Sequence, residues 1–140
     1  MPRYLAIDYG KKRIGLAISD ADGKIAAPLR QFTHDGTLED MIRRIQPFLQ
    51  EYEVDELVVG LPLCKDGTEG PQAQQIRRIG QSLAQGLAKP VHYFDESFSS
   101  EAADDLLRQR GPLTPRAQKS RRDALAATLI LQSFLDQPKK

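Results

Sequence analysis

The spacing of apolar positions changes along this chain, and each change marks an element. In residues 4–9, Tyr4 and Ala6 alternate with Leu5 and Ile7, apolar on both faces, which predicts a central strand covered on both sides. "RIGLAISD" (13–20) and "KIAAPLRQF" (24–32) read as two more strands, with a turn signal at Asp22-Gly23, so the first 33 residues predict an antiparallel meander. The period then shifts to three and four. Leu38, Ile42, Ile45 and Leu49 form the stripe of a helix begun by Thr37, with Asp40 completing a capping-box pattern. Pro47 lies within that stripe and is expected to kink the helix or end it early.

"DELVVGLP" (55–62) predicts a short strand ending in Gly60 and Pro62, and "LCKDGTEGP" (63–71) a loop. Ile76, Ile79, Leu83 and Leu87 form the stripe of a second helix, and "PVHYFD" (90–95) is a fifth strand. "SSEAADDLLRQRG" (99–111) predicts a third helix, closed by Gly111 and Pro112, and "AQKSRRDALAATLILQSFL" (117–135) a fourth. Strands first, then strands alternating with helices, predict an α/β fold: a mixed five-stranded sheet, its first three strands antiparallel, flanked by about four helices. The two later strands should run parallel to the first, so that their C-terminal ends share one edge, where open α/β sheets carry their sites.

Composition sharpens this picture in a few respects. The 140 residues are the length of one domain, and no linker or internal repeat divides residues 1–140. No apolar run approaches the roughly 20 residues that span a bilayer, and the N-terminus has no apolar signal-peptide core, so the chain is expected to stay in the cytoplasm, away from membranes. The one cysteine, Cys64, cannot form an internal disulfide and is assigned no role. A net charge of +1 gives no overall attraction to nucleic acid, but the distribution does. Arg108, Arg110, Arg116, Lys119, Arg121 and Arg122 follow one another with no acid between them, while Asp35 to Glu56 is rich in acids.

The candidate chemistry is carried by three carboxylates. Asp8 ends the first strand and Glu96 follows the last, so parallel strands would bring both to one edge. In "VHYFDE", His92, Phe94 and Glu96 point one way and Asp95 the other. Asp123, Ala127, Ile130 and Phe134 lie at helical spacing, which puts Asp123 on the stripe facing the sheet, where a charge needs a partner. Clustered, the three acids would repel one another unless a divalent cation neutralised them, and hard oxygen donors suit Mg²⁺ or Mn²⁺. Each acid also has a plainer reading. Asp8 would serve as a turn residue, Glu96 as a helix N-terminal charge, and Asp123 as the partner of Lys119, Arg121 or Arg122. Gly10 and Gly15 either ease a hairpin or admit a nucleic-acid backbone, and the basic run from Arg108 either faces solvent or holds phosphates. His34 and His92 have no metal-ligand spacing and read as surface and sheet residues.

The chain resembles the YqgF (RuvX) family of Holliday-junction-resolvase-like nucleases. The likeness rests on "DYGKKRIGLA" (8–17), "VVGLPLCKDGTEG" (58–70), "DESFSSEAA" (95–103) and "KSRRDALAATLIL" (119–131), four ordered motifs over nearly the whole chain. It implies an RNase H-like sheet with Asp8, Glu96 and Asp123 as the metal-binding and catalytic acids. It also implies hydrolysis of phosphodiester bonds in 5′-end maturation of pre-16S ribosomal RNA, with action on four-way DNA junctions as the alternative. The family usually has Arg after the Glu of the third motif, and here that residue is Ser97. Its work would then fall to Arg13 or the basic run. On this reading Lys12, Arg13, Arg110, Arg116, Lys119, Arg121 and Arg122 contact nucleic acid, and Gly10, Gly60 and Pro62 support the site loops. The partner is structured RNA, such as a ribosome precursor, and the chain acts as a monomer or, for paired cuts in branched DNA, a homodimer. A non-catalytic module that binds RNA or the ribosome is the reading from another class, motivated by Ser97.

Overall fold

The computed structural model describes residues 2–62, 68–95 and 126–137. Strand β1 (Tyr4–Tyr9) lies at the centre of a five-stranded sheet. On one side of it are β2 (Arg13–Ser19) and β3 (Ala26–Thr33), and on the other β4 (Glu56–Leu61) and β5 (Val91–Asp95), giving the order β3-β2-β1-β4-β5. The first three strands pair antiparallel, whereas β4 pairs parallel to both β1 and β5. The C-terminal ends of β1, β4 and β5 therefore share one edge, as the sequence predicts.

Strand β1 buries both faces, as its double alternation requires. Leu5 and Ile7 join Ile14, Leu16, Leu57 and Val59 beneath α1 (Leu38–Glu51) and α2 (Pro71–Leu87). Ala6 faces the other way and joins Ala17 and Val58 beneath a helical segment, 126–135, which contributes Ala127, Ile130 and Leu131. Each fully buried aliphatic side chain contributes about 1.5–3 kcal/mol, so these two clusters fix which side of β1 each residue takes.

Helix α1 begins as predicted, with a different reciprocal contact. Thr37 accepts a hydrogen bond from the Asp40 amide at 3.2 Å, but the Asp40 carboxylate reaches back to the amide of Asp35, also at 3.2 Å. Pro47 does not end the helix, which continues to Glu51. Its ring lies on the exposed side, so the loss of one backbone bond is outweighed by burial of Ile45 and Leu49 on the other side. The buried stripe is Met41, Ile45 and Leu49, while Leu38 stays exposed. Helix α2 starts with Pro71 at its first turn and closes on Ala88 in the left-handed conformation. The predicted third helix, 99–111, lies outside the described residues, as does the beginning of the fourth, whose described part, 126–135, is helical. Among the described residues no helix is long and apolar enough to cross a membrane.

Candidate active site

Asp8 is the penultimate residue of β1 and is partly exposed. Side chains alternate along a strand, so Asp8 shares the face of Ala6, which carries the 126–135 segment. Its neighbours follow from register. Asp8 pairs with Gly15 in β2, and Gly15 with Gln31 in β3. On the other side Ile7 pairs with Val59, which sets Gly60 level with Asp8, and Gly60 pairs with Phe94 in β5. The row across the sheet thus reads Gln31, Gly15, Asp8, Gly60, Phe94. Glycine on both sides leaves the two strand positions level with Asp8 without a side chain.

Gly60 lies near the end of the strand that the sequence predicts over 55–62. Gly60 is buried inside β4, which extends to Leu61 because the ladder to β5 continues through Gly60–Phe94 and Leu61–Asp95. The connection begins at Pro62. At its far end Glu69 accepts two hydrogen bonds from Arg77 of α2, at 2.9 and 2.8 Å, and the Arg77 guanidinium lies 4.5 Å from the Tyr93 ring centroid in β5. The arginine holds the Glu69 carboxyl below the usual carboxylate range and is itself raised by it, while burial pushes the Tyr93 phenol up.

The β1–β2 turn, which follows Asp8 in the chain, carries Lys11 and Lys12 and leads into Arg13. The Gly10 amide donates to the Arg13 carbonyl at 2.9 Å, and a Cβ on Gly10 would stand 2.7 Å from that same oxygen. Gly10 is thus required by the close approach of the turn's own backbone. Lys11 and Lys12 point into solvent and Arg13 is half-buried. His34, which sequence reasoning left as a surface residue, clasps the turn. Its amide donates to the Lys12 carbonyl at 3.0 Å and its Nε2–H to the Gly10 carbonyl at 2.7 Å, while its Nδ1 accepts from the Gly36 amide at 3.1 Å. These partners assign the tautomer with the proton on Nε2. No local pattern marks this role, because the contact spans 24 positions.

Asp8, Gly10, Lys12, Arg13, Gly60 and Pro62 therefore gather at one edge. Glu96, Arg110, Arg116, Lys119, Arg121, Arg122 and Asp123 lie outside the described residues. Among the described residues no group of three or more His, Cys, Asp or Glu side chains could hold a metal ion. Phe94 packs into the cluster under the 126–135 segment and the His92 ring lies 5.4 Å from that of Phe134, so the even residues of β5 take the Asp8 face, as alternation predicts. His92 also approaches Glu56 at 2.7 Å and is the sheet residue expected.

Comparisons with known proteins agree with this architecture. A profile of the RuvX family, described as "Holliday junction resolvase", matches residues 2–137. A protein of Chloroflexus aurantiacus named "Putative pre-16S rRNA nuclease" is 46% identical over 132 residues, covering 94% of this chain and 85% of its own. One of the same name from Anaeromyxobacter sp. is 42% identical over 134 residues, covering 96% of each. Among solved structures, T. thermophilus RuvC in complex with a Holliday junction substrate matches with a TM-score of 0.57 at 15% identity, over 96% of both chains. Fowlpox virus resolvase in complex with Holliday junction DNA matches at 0.57 and 12%, over 96% of this chain and 99% of that one. These structural likenesses establish the RNase H-like fold expected from the sequence. With the profile matched over almost its whole length and relatives above 40% identity, the chain belongs to the RuvX family.

Proposed function

We propose that this protein is a metal-dependent endonuclease that hydrolyses phosphodiester bonds of structured RNA in 5′-end maturation of pre-16S ribosomal RNA. The observation that carries the reading is Asp8, a partly exposed carboxylate at the shared edge of the parallel strands with glycine on both sides. The names of the relatives supply the substrate. In this reading Glu96, two residues past Phe94, and Asp123, four before Ala127, join Asp8 as oxygen donors. Such a trio fits Mg²⁺ or Mn²⁺, and a bound divalent ion supplies Lewis-acid stabilisation of the charge that builds on the phosphoryl oxygens.

The chain's own residues do the rest. Lys12 and Arg13 steady the backbone beside the scissile phosphate, and Arg110, Arg116, Lys119, Arg121 and Arg122 extend the hold on flanking phosphates. With Ser97 where the family pattern implies an arginine, Arg13 at the start of β2 takes that work. The setting for such a substrate is the cytoplasm.

The test is cleavage of precursor-rRNA fragments with Mg²⁺ or Mn²⁺ by wild type, Asp8→Asn and Asp123→Asn. Each substitution should lower the rate about 10³-fold, the loss of about 4 kcal/mol of transition-state stabilisation. Undiminished cleavage by both variants would refute the assignment. The family's description favours a second reading, resolution of four-way DNA junctions. Branched DNA assayed in parallel separates the two, since paired cuts require a dimer.

A further inference from the structure

We propose that the groove between β3 and α1 is a second nucleic-acid site, which holds an unpaired strand of the RNA substrate away from the Asp8 edge. The identity of that strand rests on the RNA-nuclease reading above. The groove itself rests on geometry. It encloses about 460 Å³ and is lined by Arg30, Phe32, Arg43, Arg44, Pro47 and Phe48, among others. That volume lies within the range of built ligand sites.

Its charge is not accounted for by helix capping. Asp40, only 4% exposed, sits behind the groove and accepts from Arg43 Nη2 at 2.6 Å and, with both oxygens, from Arg44 Nε at 3.1 Å. One cation would neutralise this carboxylate, yet two are supplied. Arg30 adds a third, and its side chain makes no hydrogen bond or ion pair among the described residues. Three guanidiniums against two carboxylates, Asp40 behind them and the exposed Asp35 within electrostatic reach of Arg43, leave one positive charge in excess. Arg43 and Arg44 are 76% and 45% exposed, so their remaining N–H groups face solvent. A polyanion is the partner that such a surplus fits.

The aromatic content narrows the class. The Arg44 guanidinium lies 5.9 Å from the centroid of the Phe32 ring, and Phe32 and Phe48 are both only partly buried. Cations interleaved with partly exposed rings bind single strands, whose unpaired bases meet the ring faces while their phosphates meet the arginines. A duplex keeps its bases paired and offers none to stack. The groove also continues toward the catalytic edge. Thr33 pairs with Arg13, and His34 bonds the Lys12 carbonyl, so Lys12 and Arg13 lie one strand away from the end of β3. A strand in the groove would run over the β3 edge past these cations to reach Asp8 on the opposite face.

The experiment is fluorescence anisotropy with a labelled 12-nucleotide single-stranded RNA, in EDTA so that cleavage does not enter, over a range of salt. The full chain is compared with Arg30→Gln and with Arg30→Gln/Arg43→Gln; Arg44 is kept so that Asp40 retains a partner. The double variant should bind about tenfold more weakly, and its slope of log Kd against log salt should fall by about 1.4, since each lost phosphate contact on a single strand removes about 0.7. The single variant, whose side chain supports no other group, should lose about half of that slope. Unchanged affinity and slope in both would overturn the proposal. So would a duplex RNA that lost as much affinity, or a DNA strand of the same sequence that bound more tightly than the RNA. Should the strand bind as stated while wild type cleaves no precursor with Mg²⁺, the nuclease reading falls and the groove stands. Should wild type cleave and the double variant bind like it, the groove falls alone.

Discussion

The Nε2–H of His34 donates to the Gly10 carbonyl at 2.7 Å, which ties the start of the β3–α1 connection to the turn that follows Asp8. With the His34 amide on Lys12, this holds both ends of the three-residue turn, Gly10–Lys12, that follows the carboxylate's strand. His34 is thereby a positioning residue. Loss of its bond to Gly10 costs about 1–1.5 kcal/mol and falls on the placement of Lys12 and Arg13, while loss of the Gly36 bond falls on the β3–α1 connection. His34→Ala should lower kcat for precursor cleavage about tenfold with KM changed less than twofold. His34→Gln, which retains an N–H donor, should recover much of the loss. A parallel fall in unfolding temperature and activity, with no recovery in the glutamine variant, would reduce His34 to a structural part.

The expectations that held have a common physical basis. Tyr4–Tyr9 announces a central strand because burial on two faces demands apolar residues at every position, and Ala127 and Ile130 announce a sheet-facing stripe because helical spacing is local. What the sequence did not show depended on partners distant in the chain. His34 clasps the Gly10–Lys12 turn across 24 positions, which no property of His34 itself foretells. The groove of Arg30, Arg43 and Arg44 was hidden among Asp35, Glu39, Asp40 and Glu51, whose charges cancel in the sequence. The fold turns Asp40 inward and leaves most of the Arg43 and Arg44 side chains at the surface.

The glycine beside Asp8 makes a prediction separable from stability. Directly opposed residues on neighbouring strands carry their Cβ atoms about 4.5–5.5 Å apart, so a methyl group at Gly15 would stand next to the Asp8 side chain. Gly15→Ala should reduce cleavage about tenfold by crowding the substrate's approach. Far-UV circular dichroism and the affinity for single-stranded RNA in EDTA should stay at wild-type values. Full activity in this variant would show that a side chain at the Gly15 position does not hinder the substrate.

Asp40 predicts part of the acid sensitivity. The hydrogen bond from Arg43 first, then those from the Asp35 amide and Arg44, hold its carboxyl below the usual range against the opposing effect of burial. A lowered native pKa stabilises the fold fully above the unfolded value of about 4, and that stabilisation is lost as pH falls through the native value. Asp20, whose carboxylate accepts from the Lys24 and Ile25 amides, has the same sign. In urea titrations between pH 7 and pH 2.5, Asp40→Asn should be less stable than wild type at neutral pH, and the gap should narrow as pH falls below 4. A gap independent of pH would show that the charge on Asp40 contributes nothing.

The packing of α2 on β5 is tested at Gly80. Glycine inside a helix costs about 1 kcal/mol relative to alanine, so on local grounds Gly80→Ala should stabilise. The structure reverses the sign. A Cβ at this position would stand 2.8 Å from Cε1 of Tyr93 and 2.9 Å from its hydroxyl oxygen. That ring cannot yield cheaply, because its hydroxyl donates to the Arg77 carbonyl at 2.9 Å and the Arg77 guanidinium covers its face. Overpacking of this kind costs about 1–3 kcal/mol, which exceeds the helix-propensity gain. Gly80→Ala should therefore lower Tm by about 4 °C, and the same substitution in a Tyr93→Leu background, where the ring is gone, should raise it relative to that parent. Calorimetry of the four proteins closes the cycle, and a stabilising Gly80→Ala in the wild-type background would mean that helix α2 and strand β5 approach less closely than this contact requires.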